Sequence, residues 1–191
     1  MSTMINRVVK AAMLDTEFYK EAEADTTLTQ EALMVVILVS VAGAVGSFIG
    51  GLIGGNIGSA LLALVVSVIT GVATYYIWAY VTFFVGTQLF NATADAGELL
   101  RVLGYASGPR ALSILSFIPC VGGLAALVGG IWSLVAGFIG VKEALDLDTT
   151  KTLITVVIGW VIVAVITLAI SAVMGVGAIG LGAAGSLLRG R

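Results

Sequence analysis

Two long stretches of this sequence carry no charged side chain, and they restrict the chain to a lipid environment. Residues 32–86 and 152–188 contain no Asp, Glu, Lys or Arg. About 20 consecutive apolar residues cross the hydrocarbon core as a helix, so both stretches are long enough. Only 10% of the 191 residues are charged, against about 25% in a soluble domain. The sequence therefore predicts an all-α, polytopic helical membrane protein that is integral to the lipid bilayer.

Five transmembrane helices are predicted from the apolar segments and the breaks between them. The expected crossings are 32–49, 60–86, 99–118, 124–141 and 152–171. The third and fourth are expected to form a hairpin, because Pro119 and the glycines after it break the apolar run. The first arm of this hairpin is predicted to be kinked at Gly108 and Pro109.

Two sets of polar residues predict where helices begin. Asp95 and Glu98 have the spacing of a capping box ahead of the third crossing. Asp148 stands where an N-cap of the last crossing is expected.

The first 31 residues are predicted to form a cytoplasmic or interfacial tail. Val8, Val9, Ala12 and Met13 recur at helical spacing and give the tail a short amphipathic face. Two interpretations stay open: this face lies on the bilayer, or the helix is solvated and packs on the cytoplasmic loops. The chain is thus divided into a tail, a transmembrane domain and a Gly-rich C-terminal tail: 1–31, 32–175 and 176–191.

The basic residues predict the orientation of the chain in the cell membrane. Seven of the nine Lys and Arg residues lie in the tail, in 88–110 and in 142–151. The positive-inside rule therefore places the N-terminus in the cytoplasm. With five crossings, Arg189 and Arg191 lie outside. A sixth crossing or re-entrant segment at 172–188 would bring them inside, and it stays open as the alternative.

Composition excludes several classes of function. The chain has no histidine, which is the commonest general base and metal ligand. Cys120 is the only cysteine, so neither an intrachain disulfide nor a thiolate metal cage is expected. The net charge of −2 gives no footprint for nucleic acid. We therefore predict no enzyme, no catalytic residue, no cofactor and no metal site.

A row of small residues runs along the end of the first crossing and beyond it. Small residues spaced four apart let membrane helices approach each other closely. The row predicts a packing seam, either between protomers of a homo-oligomer or within one chain. Its members are Ala42, Gly46, Gly50, Gly54 and Gly58.

Four charged residues near the predicted cytoplasmic side are candidates for contact with a partner protein or with lipid. They are Arg101, Arg110, Lys142 and Glu143. Arg110 lies beside the predicted kink, where it would pair with Glu143 or Asp146, bind an anionic lipid headgroup or extend to the interface.

The second half of the chain resembles the Yip1 domain family in its prokaryotic form. The resemblance rests on Gly104, Tyr105, Pro109, Pro119, Gly122, Trp132 and Gly140. It implies a five-helix membrane domain with a cytoplasmic N-terminus. Eukaryotic members of the family resemble adaptors in vesicle transport, which associate with one another and with small GTPases.

The leading functional hypothesis is a non-enzymatic membrane adaptor or organiser. It would self-associate in the bilayer and present a cytoplasmic surface to a partner protein. The alternative is a small channel or facilitator for ions or small solutes. Its path would run between the hairpin and the first two helices, where Pro and Gly open the backbone.

Overall fold

The computed structural model describes the backbone of residues 2–53 and 57–189, and the side chains of 3–52, 61–62 and 64–170. Within these residues the chain forms helices and no strands. The α-helices are α1 (Ser2–Ala12), α2 (Thr16–Ala24), α3 (Thr29–Ile53), α4 (Ile57–Phe90), α5 (Ala96–Ala106), α6 (Val121–Ala144) and α7 (Thr149–Arg189). A 3₁₀ turn, Thr26–Leu28, precedes α3, and a long 3₁₀ helix, Gly108–Phe117, connects α5 with α6.

In the described part of the chain, four helical segments are long and apolar enough to cross a membrane. They are Thr26–Leu52, Leu64–Phe90, Val121–Ala144 and Thr149–Ile170, and they overlap the first, second, fourth and fifth predicted crossings. Their outward faces carry large apolar side chains such as Ile69 and Leu168, which are 64% and 69% exposed. Such a surface is unfavourable in water and is the one that lipid covers in a bilayer.

The segment predicted as the third crossing does not form one kinked α-helix. Helix α5 ends at Ala106, and the chain continues as the long 3₁₀ helix. Pro109 explains this change, because it has no amide hydrogen to donate and its ring would clash with the carbonyl of Tyr105. A 3₁₀ helix rises about 2.0 Å per residue, so these ten residues extend about 20 Å.

One side of the long 3₁₀ helix packs closely on α3. A Cβ atom placed on Gly46 would lie 2.5 Å from the carbonyl oxygen of Ile114. A Cβ atom on Gly43 would lie 2.7 Å from Oγ of Ser113. Because both positions lack a side chain, the two backbones approach closely, and the 3₁₀ helix runs in the same direction as α3.

The other side of the 3₁₀ helix packs against α6, which runs in the opposite direction. A Cβ atom on Gly122 would lie 2.6 Å from the carbonyl oxygen of Leu115. Two turns further along α6, a Cβ atom on Gly129 would lie 2.6 Å from the carbonyl oxygen of Pro109. Later residues of α6 thus face earlier residues of the 3₁₀ helix, and the start of α6 lies far from α5.

The best buried part of the described structure surrounds α5. Residues 99–106 are all buried, because α1, α2 and parts of α3, α4 and α6 pack around them. The ring of Phe18 meets that of Tyr105 edge-on, with 5.0 Å between their centroids. We call this region the cap; it comprises residues 2–31, 96–106 and 140–148.

Helix α7 is longer than the last predicted crossing. It continues as one α-helix from Thr149 to Arg189, which corresponds to about 60 Å at about 1.5 Å per residue. A separate sixth crossing or re-entrant segment at 172–188 requires a turn after Ser171, and the backbone has none there. The predicted boundary between residues 175 and 176 lies inside this helix.

Candidate interaction surface on the cap

Arg101 is the central polar residue of the cap, and its side chain is 3% exposed. Its Nε donates to the carbonyl oxygen of Ala22 at 2.9 Å, and its Nη2 donates to the carbonyl oxygen of Glu23. Its Nη1 donates to Oγ1 of Thr29 at 3.4 Å. These bonds connect α5 with the end of α2 and the start of α3. Arg101 therefore does not lie on the surface where the sequence analysis placed it, because α2 covers it.

Glu31 joins three elements of the cap. Its Oε1 accepts a hydrogen bond from the hydroxyl of Tyr105 at 2.7 Å, and its Oε2 lies 3.0 Å from Nη1 of Arg7. One residue before Tyr105, a Cβ atom on Gly104 would lie 2.8 Å from the Cβ of Ala32. The Gly-Tyr pair that supported the family resemblance thus packs and bonds α5 to α3.

The other family-type residues also hold elements together. A Cβ atom on Gly140 would lie 3.0 Å from both Cε1 of Tyr19 and Cβ of Val102, so α6 packs directly on α2 and α5. Nε1 of Trp132 donates to the carbonyl oxygen of Ala12 at 2.6 Å and attaches α1 to α6. At the far end, Pro119 is exposed in the turn before α6, and Gly122 is buried in the first turn of α6.

The row of small residues is only partly described. Gly46 faces the long 3₁₀ helix, and Gly50 faces it more loosely, since a Cβ atom on Gly50 would be 3.9 Å from Cα of Phe117. Ala42 is half-buried. Gly54 and the surroundings of Gly58 lie outside the described residues. In its described part, the row therefore contacts another segment of the same chain.

Carboxylates predominate on the outer side of the cap. We call five of them the acidic face: Glu17, Glu23, Glu98, Glu143 and Asp146. They come from α2, α5, α6 and the loop after α6. Lys20 lies among them and pairs with Glu17 at 3.1 Å. This pair is exposed and is worth at most about 1 kcal/mol, so the acidic face keeps a negative potential.

Three carboxylates of the acidic face line one small cavity of about 180 Å³: Glu23, Glu98 and Asp146. Oε2 of Glu23 is buried there and has no hydrogen-bond partner among the described residues. Burial, followed by repulsion from Asp146, Glu98 and Glu143, raises the pKa of Glu23 to about 7, and Lys20 opposes this shift. The Glu23 carboxyl group therefore gains or loses its proton near neutral pH.

We expect the stability of the cap to fall as the pH rises from about 5 to about 8. The folded state binds the Glu23 proton more tightly than the unfolded state, where a glutamate has a pKa of about 4.3. Stability contributed by this proton is present below the unfolded pKa and is lost as the pH passes the folded pKa. The measurement is the melting temperature across this range, for the wild type and for Glu23→Gln.

Glu23→Gln is expected to flatten this pH dependence, because the amide does not ionise. Glu17→Gln is the matched control, since Glu17 is exposed on the same helix. If Glu23→Gln kept the wild-type slope, another group would be responsible for it.

Two further predicted contact residues, Lys142 and Glu143, lie half-buried at the end of α6. Arg110 is exposed near the start of the long 3₁₀ helix. The ion pairs found among the described residues are Arg7 with Glu31, Lys20 with Glu17, and Lys151 with Asp148. The suggested pairing of Arg110 with Glu143 or Asp146 is thus not among them.

A family model of the Yip1 domain matches residues 13–182. The match includes α2 to α6 and most of α7, and it contains every residue on which the resemblance was based. No curated protein and no solved structure matches the chain.

Proposed function

The chain belongs to the Yip1 domain family, a family of non-enzymatic membrane proteins, and we propose that it acts as an adaptor or organiser in the membrane. In this role the cap presents its acidic face to a partner protein in the cytoplasm. The observation that carries the proposal is that Lys20 has Glu17 and Glu143 beside it, while Glu143 and Asp146 both lie near Glu23.

The internal bonds of the cap support this role. Arg101 and Glu31 each connect three elements, so the elements that carry the carboxylates are positioned before a partner arrives. Preorganised groups lose less conformational entropy on binding. Like charges on one face favour a partner of opposite charge and accelerate its encounter. The chemistry of the acidic face therefore selects a basic protein surface.

Charge reversal of Glu17→Lys together with Glu143→Lys tests the adaptor role. We expect recovery of the partner after cross-linking in native membranes and purification to fall by about tenfold or more, since like charges at an interface are strongly unfavourable. The matched control is Glu17→Asp with Glu143→Asp, which conserves the charge. Equal recovery of the same partner by both variants would contradict the proposal. Deleting residues 1–31 is a poorer test, because Phe18 and Tyr19 belong to the core of the cap.

We also propose five crossings with the cap in the cytoplasm, the third made by the chain between α5 and α6, which includes the long 3₁₀ helix. The positive-inside count supports this orientation. The end of α6 packs on α2 through Gly140 and Tyr19. The end of α6 and helix α2 therefore lie on the same side of the membrane. The start of α6 then lies on the opposite side, and the chain between α5 and α6 covers that distance.

The single native cysteine provides a test of this topology. Cys120 is exposed in the turn before α6, so a membrane-impermeant maleimide is expected to label it in intact cells. In a Cys120→Ser, Lys20→Cys variant, labelling is expected only after permeabilisation, since Lys20 is exposed on the cap. Labelling of both proteins from the same side would overturn the five-crossing arrangement.

Self-association remains part of the proposal, although the described part of the small-residue row does not support it. Gly46 is occupied by the long 3₁₀ helix of the same chain, so a homo-oligomer would use other lipid-facing surfaces. The channel alternative requires a solute path between the hairpin and the first two helices. The contact of Gly46 with the long 3₁₀ helix lies in that position. The channel function is therefore less well supported than the adaptor function.

A further inference from the structure

Helix α1 is apolar over a wider part of its surface than the cap covers. Ala11 belongs to the core of the cap, and Met4 and Val8 pack against that core. Ile5 and Val9 are four positions apart, so they share a face of the helix, and they are 56% and 48% exposed. The cap therefore leaves one apolar face of α1 uncovered.

The remaining face of α1 is polar. Asn6 and Lys10 directly follow Ile5 and Val9 in the sequence, and both are exposed. Each residue of an α-helix is turned by about 100° from the one before it, which puts these two polar side chains on the side away from Val8. One face of α1 thus contacts protein, one is exposed and apolar, and one is exposed and polar. A helix in a membrane interface likewise has an apolar face toward lipid and a polar face toward water.

A bond near the start of α1 fixes the level of this helix relative to α3. Nη1 of Arg7 lies 3.0 Å from Oε2 of Glu31, and Glu31 belongs to the first turn of α3. Three residues later, Met34 is the first large apolar side chain of α3 that is exposed. Arg7 is therefore held where the lipid-facing surface of α3 begins.

A second bond, at the end of α1, fixes its level relative to α6. Nε1 of Trp132 donates to the carbonyl oxygen of Ala12 at 2.6 Å. The large apolar side chains exposed on α6 end with Val135, three residues after Trp132. Beyond Val135, α6 enters the cap, where Gly140 and Val141 are buried. Both ends of α1 are therefore held at an edge of the lipid-facing surface, so this helix lies along the plane of the membrane.

We infer that α1 is an interfacial helix, and that Ile5 and Val9 are inserted among the lipids of the leaflet next to the cap. The bilayer is the occupant of this face because Trp132 connects the end of α1 with the lipid-facing surface of α6. Tryptophan is enriched at membrane interfaces, where its ring contacts lipid and its N–H finds a polar partner. The insertion holds the cap against the membrane. It involves a different surface from the acidic face, and the inference stands if the adaptor role fails.

The test is site-directed spin labelling of the full chain in lipid nanodiscs, with Cys120→Ser as the background. Collision rates of each label are measured with oxygen, which concentrates in lipid, and with a water-soluble nickel chelate. Labels at Ile5→Cys and Val9→Cys are expected to collide several-fold more with oxygen and several-fold less with the chelate than labels at the polar positions. Asn6→Cys and Lys10→Cys are the matched controls, since each adjoins one of the apolar positions.

Two results would overturn the inference. Equal access of the chelate to all four labels would place α1 in water. Low collision rates with both reagents at Ile5→Cys and Val9→Cys would mean that protein, such as a second copy of the chain, covers this face.

Hydrogen–deuterium exchange of the α1 amides in nanodiscs is the second measurement. Ile5→Glu with Val9→Glu is expected to accelerate this exchange several-fold, because charges are unfavourable among lipids and α1 then leaves the interface. The matched control, Thr3→Glu with Asn6→Glu, adds the same charge at exposed polar positions and is expected to exchange no faster than the wild type. Equal acceleration in both double variants would contradict the insertion of Ile5 and Val9.

Discussion

Replacing Gly122 with alanine is expected to lower the melting temperature of the purified protein, whereas the same change at Gly123 is expected to leave it unchanged or raise it. A Cβ atom on Gly122 would lie 2.6 Å from both the carbonyl oxygen of Leu115 and Cα of Ser116. These are backbone atoms, which cannot move aside by changing rotamer. Overpacking of this kind costs about 1–3 kcal/mol, and the matched position, Gly123, has no atom within 4 Å.

A second pair of glycines, two helical turns further along α6, allows the same comparison. A Cβ atom on Gly129 would lie 2.6 Å from the carbonyl oxygen of Pro109, while one on Gly130 meets nothing within 4 Å. Gly130→Ala is expected to stabilise α6 by up to about 1 kcal/mol through helix propensity. Melting curves in detergent measure both pairs. Equal effects within each pair would mean that the 3₁₀ helix does not pack on α6 as described.

Arg101→Leu is expected to destabilise the protein by about 3 kcal/mol, because two buried carbonyl groups at the end of α2 lose their donors. For a chain of this size the loss corresponds to a fall in melting temperature of roughly 6–12 °C. Arg101→Lys is expected to recover only part of it, since an ammonium group lacks the planar fork of donors. Melting curves of the purified variants provide the measurement.

Arg110→Leu is the matched control for Arg101→Leu, since it removes an exposed guanidinium group. It is expected to change the melting temperature little. If the two variants melted at the same temperature, the bonds from Arg101 to α2 would not be important for the stability of the cap.

Features that depend on neighbouring residues could be predicted from the sequence. The capping box of Asp95 and Glu98 is confirmed, since each side chain bonds the other residue's backbone amide. Asp148 likewise accepts from the amides of Thr150 and Lys151. Hydropathy identified the four long spans because the bilayer demands a run of apolar residues whatever packs beside it.

The role of Arg101 could not be predicted, because it depends on a segment about 80 positions away. A charged residue ordinarily indicates a surface, and nothing local shows that α2 covers this one. One sign was present in the sequence: Arg101 lies within LLRVLGY, a run that is otherwise almost entirely apolar. Such a run favours a helix that is buried on all sides, and its single cation then needs internal acceptors.

The long 3₁₀ helix was also beyond sequence reasoning. Pro109 signals a break, but a break permits a kink, a loop or a tighter helix. The choice depends on the close approach of α3 and α6 at Gly46 and Gly129, which are distant in the chain. Likewise, the raised pKa of Glu23 arises first from its burial and then from carboxylates on α5, α6 and the loop after α6, so the sequence around Glu23 alone gives no sign of it.

The composition of the cap has a consequence for the order of assembly during synthesis. Its core joins residues of α1 and α2 with Leu99, Val141 and Leu147, so α1 and α2 wait for partners that are translated about 80 to 135 residues later. At about 5–20 residues per second, that delay is roughly ten seconds. During it, α1 has no core to pack on, and its exposed apolar side chains, Ile5 and Val9, hold the nascent segment at the membrane surface. The bilayer thus acts as a holding site until α5 and α6 emerge from the ribosome.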